Sequence, residues 1–159
     1  MFTIMLLFPP PSFKLTLQHY RFNFSLNTLG LAEGALEAAI KYSDEREAFG
    51  KKIHRFQGVG MQLAEMATEI EAARHLVYHA SYVKDHGGNL VKAAAIAKLK
   101  ASETAVKATN MAVQIHGGYG YIKEFQVERF FRDAKILTIG EGTSEVQKLV
   151  ILKQLMKGL

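Results

Sequence analysis

An apolar stripe at spacings of three and four residues constrains the fold of this chain more than any other feature. The stripe is sustained through residues 56–86, and similar spacing recurs over residues 25–48 and 90–115. This period is typical of helices that bury one face, whereas no strand-like alternation of any length follows residue 24. The stripes predict these core residues: Leu63, Met66, Ile70, Ile96, Leu99, Val106 and Val113.

Glycine-containing loops separate the helical segments. The first segment ends at Phe49-Gly50, the second at residues 87–89 and the third at residues 117–120. A shorter helix is expected over residues 124–134, and a last helix is expected from Ser144 onward. Long helices joined by short loops predict an all-α fold, an antiparallel up-and-down helical bundle.

The N-terminal residues differ from the rest of the chain. Residues 1–8 are apolar and are followed by three successive prolines, which disfavour a helix. We therefore expect an extended or disordered lead-in over residues 1–22 and one helical domain over residues 23–159. The apolar start is too short to cross a bilayer, which takes about 20 residues, and charges interrupt the later apolar stretches. No membrane span is expected.

The residue composition narrows the possible kinds of site. Without cysteine the chain has no disulfide and no thiolate metal site. Its net charge of +5 comes from Lys and Arg spread along the chain, so no nucleic acid partner is expected. A phosphate-bearing ligand explains this excess, and so does a solvated basic surface. His75 and His79 have metal-ligand spacing, but no third ligand lies nearby in sequence, so no metal is expected.

Two of the loops carry residues suited to binding a ligand. Arg46 lies at the end of the first helical segment, where a cation suits the helix dipole and where a guanidinium could also bind a phosphate. The three glycines within residues 117–120 would let a ligand approach the backbone, although a plain connection between helices explains them equally well. Both alternatives stay open at each loop.

The loop before the last helix carries a carboxylate between two glycines, in the segment Gly140-Glu141-Gly142. Beside an apolar pocket this carboxylate would lose water and become a competent general base. The alternative is an acidic residue that suits the N-terminus of the following helix. Ser144 and Gln147 fit a capping box at that N-terminus.

Four segments in this order resemble the C-terminal helical domain of the acyl-CoA dehydrogenases: LGLAEGAL, EREAFGKKIHRFQ, AVQIHGGYGY and RDAKILTIGEGTSEVQ. The resemblance covers residues 21–159. It implies FAD as the cofactor and the α,β-dehydrogenation of acyl-CoA thioesters to trans-2-enoyl-CoA. It also implies electron-transfer flavoprotein as the electron acceptor and a homo-oligomer, either a dimer or a tetramer. The compartment it implies is the cytoplasm of a bacterium or archaeon, or the mitochondrial matrix of a eukaryote.

The resemblance also implies roles for individual residues. Glu141 matches the family's catalytic base, and Arg21 and Gly142 match substrate-binding positions. The positions that match FAD contacts, most of them to the cofactor of a neighbouring subunit, are Arg46, Phe49, Gln57, Gln114, Gly117, Gly118 and Thr143.

Some features depart from the family pattern. The pattern is lost before Arg21, and the family's N-terminal helical domain and middle β-domain are absent from this sequence. Because those domains supply much of the flavin and acyl-CoA contact, the chain by itself is expected to be incomplete as an enzyme. Two alternative functions are a non-catalytic helical interaction module and a part of an acyl-CoA oxidase-like flavoprotein.

Overall fold

Five α-helices, joined by short connections, make up most of the described chain. The computed structural model describes residues 11–158, with side chains described for residues 24–157. The helices are α1 (Pro11–Glu45), α2 (Gln57–His86), α3 (Leu90–His116), α4 (Val127–Leu137) and α5 (Ser144–Leu155). Short 3-10 turns lie at Ile53–Arg55, Gly117–Tyr121 and Met156–Gly158. The predicted all-α helical bundle is confirmed.

The first helix extends further towards the N-terminus than the sequence predicted. Helix α1 begins at Pro11, so the expectation of an extended lead-in is wrong for residues 11–22. Proline is tolerated at the first helical position because the N–H that it lacks would have no partner there, and its fixed φ suits the helix. Residues 1–10 lie outside the described residues, and a domain boundary at residue 23 stays a prediction.

A small β-hairpin between α1 and α2 was not expected from the sequence. Strand β1 (Glu47–Ala48) pairs with strand β2 (Lys51–Lys52) in an antiparallel register. The two residues between the strands, Phe49 and Gly50, have φ values of 51° and 75°. Positive φ at both turn residues is typical of the type I′ turns that close two-residue hairpins. The hairpin leaves the Phe49 side chain 97% exposed.

Helix α3 lies at the centre of the bundle and packs against α1, α2, α4 and α5. Alanine dominates the face that it buries. These alanines are Ala94, Ala97, Ala101, Ala105, Ala108 and Ala112. Because their side chains are small, the neighbouring helices can approach α3 closely on several sides.

The predicted core residues lie at different depths. Met66 and Ile70 of α2 are buried, and Leu63 and Val113 are half-buried against the same core. The prediction is wrong for three residues of α3 that are only half-buried: Ile96, Leu99 and Val106. The physical reason is that the alanine face of α3, and not its larger apolar side chains, turns towards the centre of the bundle.

Ion pairs join the long helices on their outer faces. Arg74 of α2 lies 2.6 Å from Glu33 of α1, and Lys107 of α3 lies 2.5 Å from Glu65 of α2. Within the part of the chain that the structure describes, no helix is long and apolar enough to cross a bilayer.

Candidate functional site

The loop between α4 and α5 holds its backbone in an unusual conformation. Glu141 has a φ of 56° and Gly142 a φ of 93°. For a residue with a side chain, the left-handed region costs about 1–2 kcal/mol, so surrounding contacts must hold Glu141 there. Its neighbour Gly140 packs closely against an aromatic ring, because a Cβ at that position would lie 3.2 Å from Cζ of Phe24. These features describe a tightly constrained loop.

Two fully buried side chains hold this loop from inside the bundle. Lys98 of α3 donates a hydrogen bond from Nζ to the carbonyl oxygen of Gly142, at 2.8 Å. Gln147 of α5 donates from Nε2 to the carbonyl oxygens of Glu141 and Gly142, at 3.1 Å and 3.0 Å. The carbonyl groups of Glu141 and Gly142 are therefore both directed at donors in the core.

The N-terminus of α5 is capped by Thr143 and not as the sequence predicted. The Thr143 hydroxyl accepts a hydrogen bond from the backbone N–H of Val146, at 3.3 Å. The predicted capping box of Ser144 and Gln147 is wrong, because the cap is Thr143, one residue before Ser144. The Gln147 amide instead donates to the loop. Thr143 thus already has a structural task beside its predicted contact with FAD.

Two cations near the loop in sequence lie against other carboxylates. Lys148 lies 3.4 Å from Glu103, and Arg132 binds Glu128 at 2.9 Å. Glu141 itself is half-buried. A cleft of about 270 Å³ lies beside Thr143, and the side chains of Glu103 and Lys148 form part of its lining.

A second candidate site lies where α1 ends and α3 ends. The rings of Tyr42 and His116 stack there with centroids 4.2 Å apart. The Arg46 guanidinium lies 5.7 Å from the centre of the Tyr119 ring, and Arg46 is exposed. A cleft of about 470 Å³ is lined by Arg46, Tyr119 and the backbone of Gly118, among others. An exposed guanidinium beside an open cleft suits the binding of an anionic group.

The fold requires glycine at some positions after α3 and not at others. Gly117 has a φ of 59°, which favours glycine. Gly120 is buried, and a Cβ there would lie 2.5 Å from the carbonyl oxygen of Val113. Gly118 has open space around it, with nothing within 4 Å of an added Cβ. Folding therefore explains the first two glycines, whereas the bare backbone at Gly118 is free to meet a ligand.

The hairpin brings further predicted residues to the same end of the bundle. The ring of Phe49 packs edge-on against Phe56, with centroids 6.2 Å apart, and Gln57 follows as the first residue of α2. A backbone hydrogen bond also closes the base of the hairpin, because the N–H of Ile53 donates to the carbonyl oxygen of Arg46 at 2.9 Å. The predicted residues at this end are all exposed: Arg46, Phe49, Gln57, Gln114, Gly117 and Gly118.

Burial changes the pKa of His116, which lies at this end of the bundle. Desolvation lowers the pKa of His116 from its ordinary value of 6.5, although a hydrogen bond between its Nδ1 and the carbonyl oxygen of Ala112 acts in the opposite direction. The ring is therefore neutral near pH 7. It stacks on Tyr42 and packs edge-on against Phe125 beside the cleft.

The two candidate sites lie far apart on one chain. Helix α3 carries Lys98, which holds the Glu141 loop, and also His116, which lies at the other site. These two residues are five helical turns apart, which is roughly 27 Å along the axis. The structure therefore does not bring Glu141 together with Arg46 within one chain.

Comparison with known proteins identifies the family. Residues 11–156 match the family model described as acyl-CoA dehydrogenase, C-terminal domain. The chain belongs to the acyl-CoA dehydrogenase family. A relative from Bacillus subtilis, the probable acyl-CoA dehydrogenase YngJ, is 50% identical over 145 residues, which are 91% of this chain and 38% of that protein. The caffeyl-CoA reductase-Etf complex subunit CarC of Acetobacterium woodii is 49% identical over 142 residues, 89% of this chain and 38% of that protein.

A solved structure of the acyl-CoA dehydrogenase family has the same domain. Butyryl-CoA dehydrogenase from Megasphaera elsdenii is similar with a TM-score of 0.89 and 46% identity, over 91% of this chain and 38% of that one. The chain thus spans a little over a third of the length of the relatives that it matches. What it shares with the acyl-CoA dehydrogenases is their C-terminal helical domain.

The roles predicted for single residues stay predictions, although their placement is now described. Glu141, Gly142 and Thr143 share the loop before α5, and the other described candidates share the opposite end of the bundle. Arg21 lies within α1, but its side chain is outside the described part. No group of three His, Asp or Glu side chains suited to a metal occurs among the described residues, and His75 lies 3.2 Å from Glu71.

Sequence reasoning missed the two residues that hold the loop, Lys98 and Gln147. A signal for the first was available, because Lys98 lies on the buried face of α3 together with Ala94 and Ala101. A lysine at a core position of an amphipathic helix needs a buried partner. No comparable signal marked Gln147, which sequence reasoning placed in the capping box.

Proposed function

We propose that the chain forms the C-terminal domain of an FAD-dependent acyl-CoA dehydrogenase, which oxidises acyl-CoA thioesters to trans-2-enoyl-CoA. The observation that carries this proposal is the backbone at Glu141. A half-buried glutamate with a φ of 56° is held in place by two buried donors. Constrained, unfavourable backbone geometry of this kind is concentrated at functional sites.

Glu141 acts as the base in this reaction. Its carboxylate takes the proton from the α-carbon of the acyl group, and the electron pair of that C–H bond becomes part of the new double bond. FAD, when bound, would supply the oxidant for the hydride that leaves the β-carbon. A positioned general base typically contributes about 10²- to 10⁴-fold to the rate. Gly142 has no side chain, so the acyl group can lie against the backbone beside Glu141.

The exposed donors at the other end of the bundle fit FAD. The Arg46 guanidinium suits the pyrophosphate, because a planar donor can form two parallel hydrogen bonds with phosphate oxygens. Gln57 and Gln114 supply exposed amides, and the open backbone at Gly118 lets the cofactor approach closely. Phe49 presents a 97% exposed ring that can pack against the cofactor. These residues would hold the cofactor, and Thr143 would contact FAD beside Glu141.

The distance between the two sites supports a homo-oligomer, either a dimer or a tetramer. Because the sites are roughly 27 Å apart along α3, the Arg46 end would serve the FAD of a second copy of the enzyme. Helix α5 also carries three exposed leucines, Leu149 at 65%, Leu152 at 53% and Leu155 at 55%. Large apolar side chains exposed on one helix are typical of a surface that another chain covers.

We further propose electron-transfer flavoprotein as the electron acceptor. The name of the relative CarC includes a complex with Etf, and that relative is 49% identical to this chain. The acyl-CoA substrate, this acceptor and a second copy are the partners expected of the whole enzyme. Its compartment would be the cytoplasm of a bacterium or archaeon, or the mitochondrial matrix of a eukaryote.

A second candidate function is the reverse reaction, the reduction of an enoyl-CoA. The relative CarC is named a caffeyl-CoA reductase subunit, so the same domain occurs in proteins named for either direction. In this direction Glu141 would deliver its proton to the α-carbon. An assay with an enoyl-CoA and a reduced electron donor, run beside the dehydrogenase assay, would distinguish the favoured direction.

A fusion enzyme tests the proposed function. Residues 11–159 would replace the matching C-terminal part of the relative YngJ, and the purified protein would be examined for flavin absorbance and for bleaching by short-chain acyl-CoA. We expect bound FAD and bleaching at a rate close to that of the parent relative. A fusion that folds and binds FAD but is not bleached by any acyl-CoA would contradict the dehydrogenase function. A folded fusion without FAD would favour a non-catalytic helical module, and rapid oxygen consumption would favour an oxidase.

A further inference from the structure

Two buried side chains, Lys98 and Gln147, lie on the interior side of the Glu141 loop. We propose that Lys98 and Gln147 are positioning residues, which hold the Glu141 backbone in the left-handed conformation and so aim its side chain for proton abstraction. The proposal rests on the role of Glu141 as the base. Neither residue is proposed to touch the substrate.

Lys98 occupies a position where packing alone favours an apolar side chain. It is fully buried on α3, and its neighbours on that face include Ala94 and Ala101. Burying an ammonium group is costly unless polar or aromatic groups compensate it. The carbonyl oxygen of Gly142 at 2.8 Å and the ring of Phe24 at 5.8 Å provide compensation. The lysine therefore ties the loop to the central helix of the bundle.

Gln147 of α5 reaches the same loop. Its side chain is fully buried, and both hydrogen bonds of Nε2 go to loop carbonyls, those of Glu141 and Gly142. Its Oε1 has no hydrogen-bond partner among the described residues. The two bonds to the loop carbonyls are therefore the hydrogen bonds that orient this amide.

Three helices together determine the backbone of the loop. Lys98 comes from α3, Gln147 comes from α5, and Phe24 of α1 packs against Gly140. With both carbonyls fixed inward, rotation of the peptide planes beside Glu141 would break a buried hydrogen bond, which is unfavourable. Removing either donor should therefore loosen the loop without removing any group that reacts.

Hydrogen exchange on the full chain tests this positioning directly. The loop contains protected amides, since Gly140 donates to Ile136 at 2.8 Å and Ser144 donates to Thr138 at 3.0 Å. In the variants Lys98→Met and Gln147→Leu, we expect these amides to exchange about tenfold faster, while the amides of α2 keep their rates.

The matched control is Lys100→Met, on the same helix. Lys100 binds Glu69 of α2 and not the loop, so this variant loses a lysine contact elsewhere. Its loop amides should exchange as in the parent chain. Equal exchange in all three variants would overturn the proposal. So would a failure of both Lys98→Met and Gln147→Leu to fold, since the pair would then support the whole domain and not the loop.

Kinetics of the fusion enzyme separate positioning from structural support. A base held in the wrong place by about 1 Å can cost about 10²-fold in rate, so kcat should fall to that extent in Lys98→Met. The KM for acyl-CoA should stay within about threefold, because the variant removes no group that is proposed to contact the acyl-CoA. A lower melting temperature with an unchanged kcat would show a structural role only.

Glu141→Gln in the same fusion keeps the two proposals apart. If that variant stays active, the function proposed for Glu141 fails, whatever the exchange data show. If Glu141→Gln is inactive but exchange and kcat are unchanged in the Lys98 and Gln147 variants, the base is correct and only the positioning is refuted.

Discussion

Alanine substitutions at two neighbouring glycines should separate folding from cofactor binding. In Gly120→Ala the new Cβ would lie 2.5 Å from the carbonyl oxygen of Val113 and 3.0 Å from Cβ of His116. Because the first of these atoms belongs to the backbone of α3, the turn must move away from the helix. Forcing extra volume into a packed site costs about 1–3 kcal/mol. For a domain of this size, the melting temperature should fall by about 2–4 °C for each kcal/mol.

Gly118→Ala is the matched control, two residues away in the same turn. Nothing lies within 4 Å of a Cβ at Gly118, so the melting temperature should change by no more than about 1 °C. The added methyl group would instead enter the cleft beside Arg46 and weaken FAD retention in the fusion enzyme. Thermal melting by circular dichroism and the ratio of flavin to protein absorbance measure the two effects. Equal losses of stability in both variants would refute the reasoning.

Three further predictions concern pH, helix propensity and the exposed ring. Burial lowers the pKa of His116 below 6.5, so the unfolded chain binds more protons than the folded chain as the pH falls below 6.5. The stability that His116 contributes is therefore complete above pH 6.5 and declines as the pH falls. Melting temperatures measured from about pH 7.5 to about pH 5 should depend less on pH in His116→Phe. Gly30→Ala, at an exposed site of α1 with nothing within 4 Å, should stabilise the chain by about 0.5–1 kcal/mol in urea unfolding, and a loss would contradict this. Phe49→Asn places at the turn a residue that tolerates positive φ, so it should lower FAD retention without lowering the melting temperature.

The helices were predictable because they follow from local patterns. The apolar period and the glycines at residues 87–88 predicted α2 and α3 to within a residue or two of their observed ends. The three prolines led to a wrong prediction for residues 11–22, because proline is common at the first helical position and does not prevent a helix from starting there. The hairpin after α1 was too short for an alternating pattern, and its turn has Phe49 where asparagine or aspartate is usual.

The inner side of the candidate site could not be predicted in the same way. The bond from Lys98 to Gly142 joins residues 44 positions apart, so it exists only once α3 and α5 pack together. The glycines on both sides of Glu141 give no indication of the buried donors that hold this loop in the folded chain. The sequence therefore indicated which carboxylate to suspect but not what constrains it.

Single-turnover reduction of the flavin tests the central claim, that Glu141 is the base, most directly. The fusion enzyme and its Glu141→Gln variant would be mixed anaerobically with butyryl-CoA, and loss of flavin absorbance would be followed by stopped flow. Glutamine has nearly the same shape but cannot accept the α-proton. We expect the variant to keep its FAD and to bind acyl-CoA, while its rate of flavin reduction falls by at least about 10²-fold. A variant that reduces its flavin at nearly the parent rate would contradict the account.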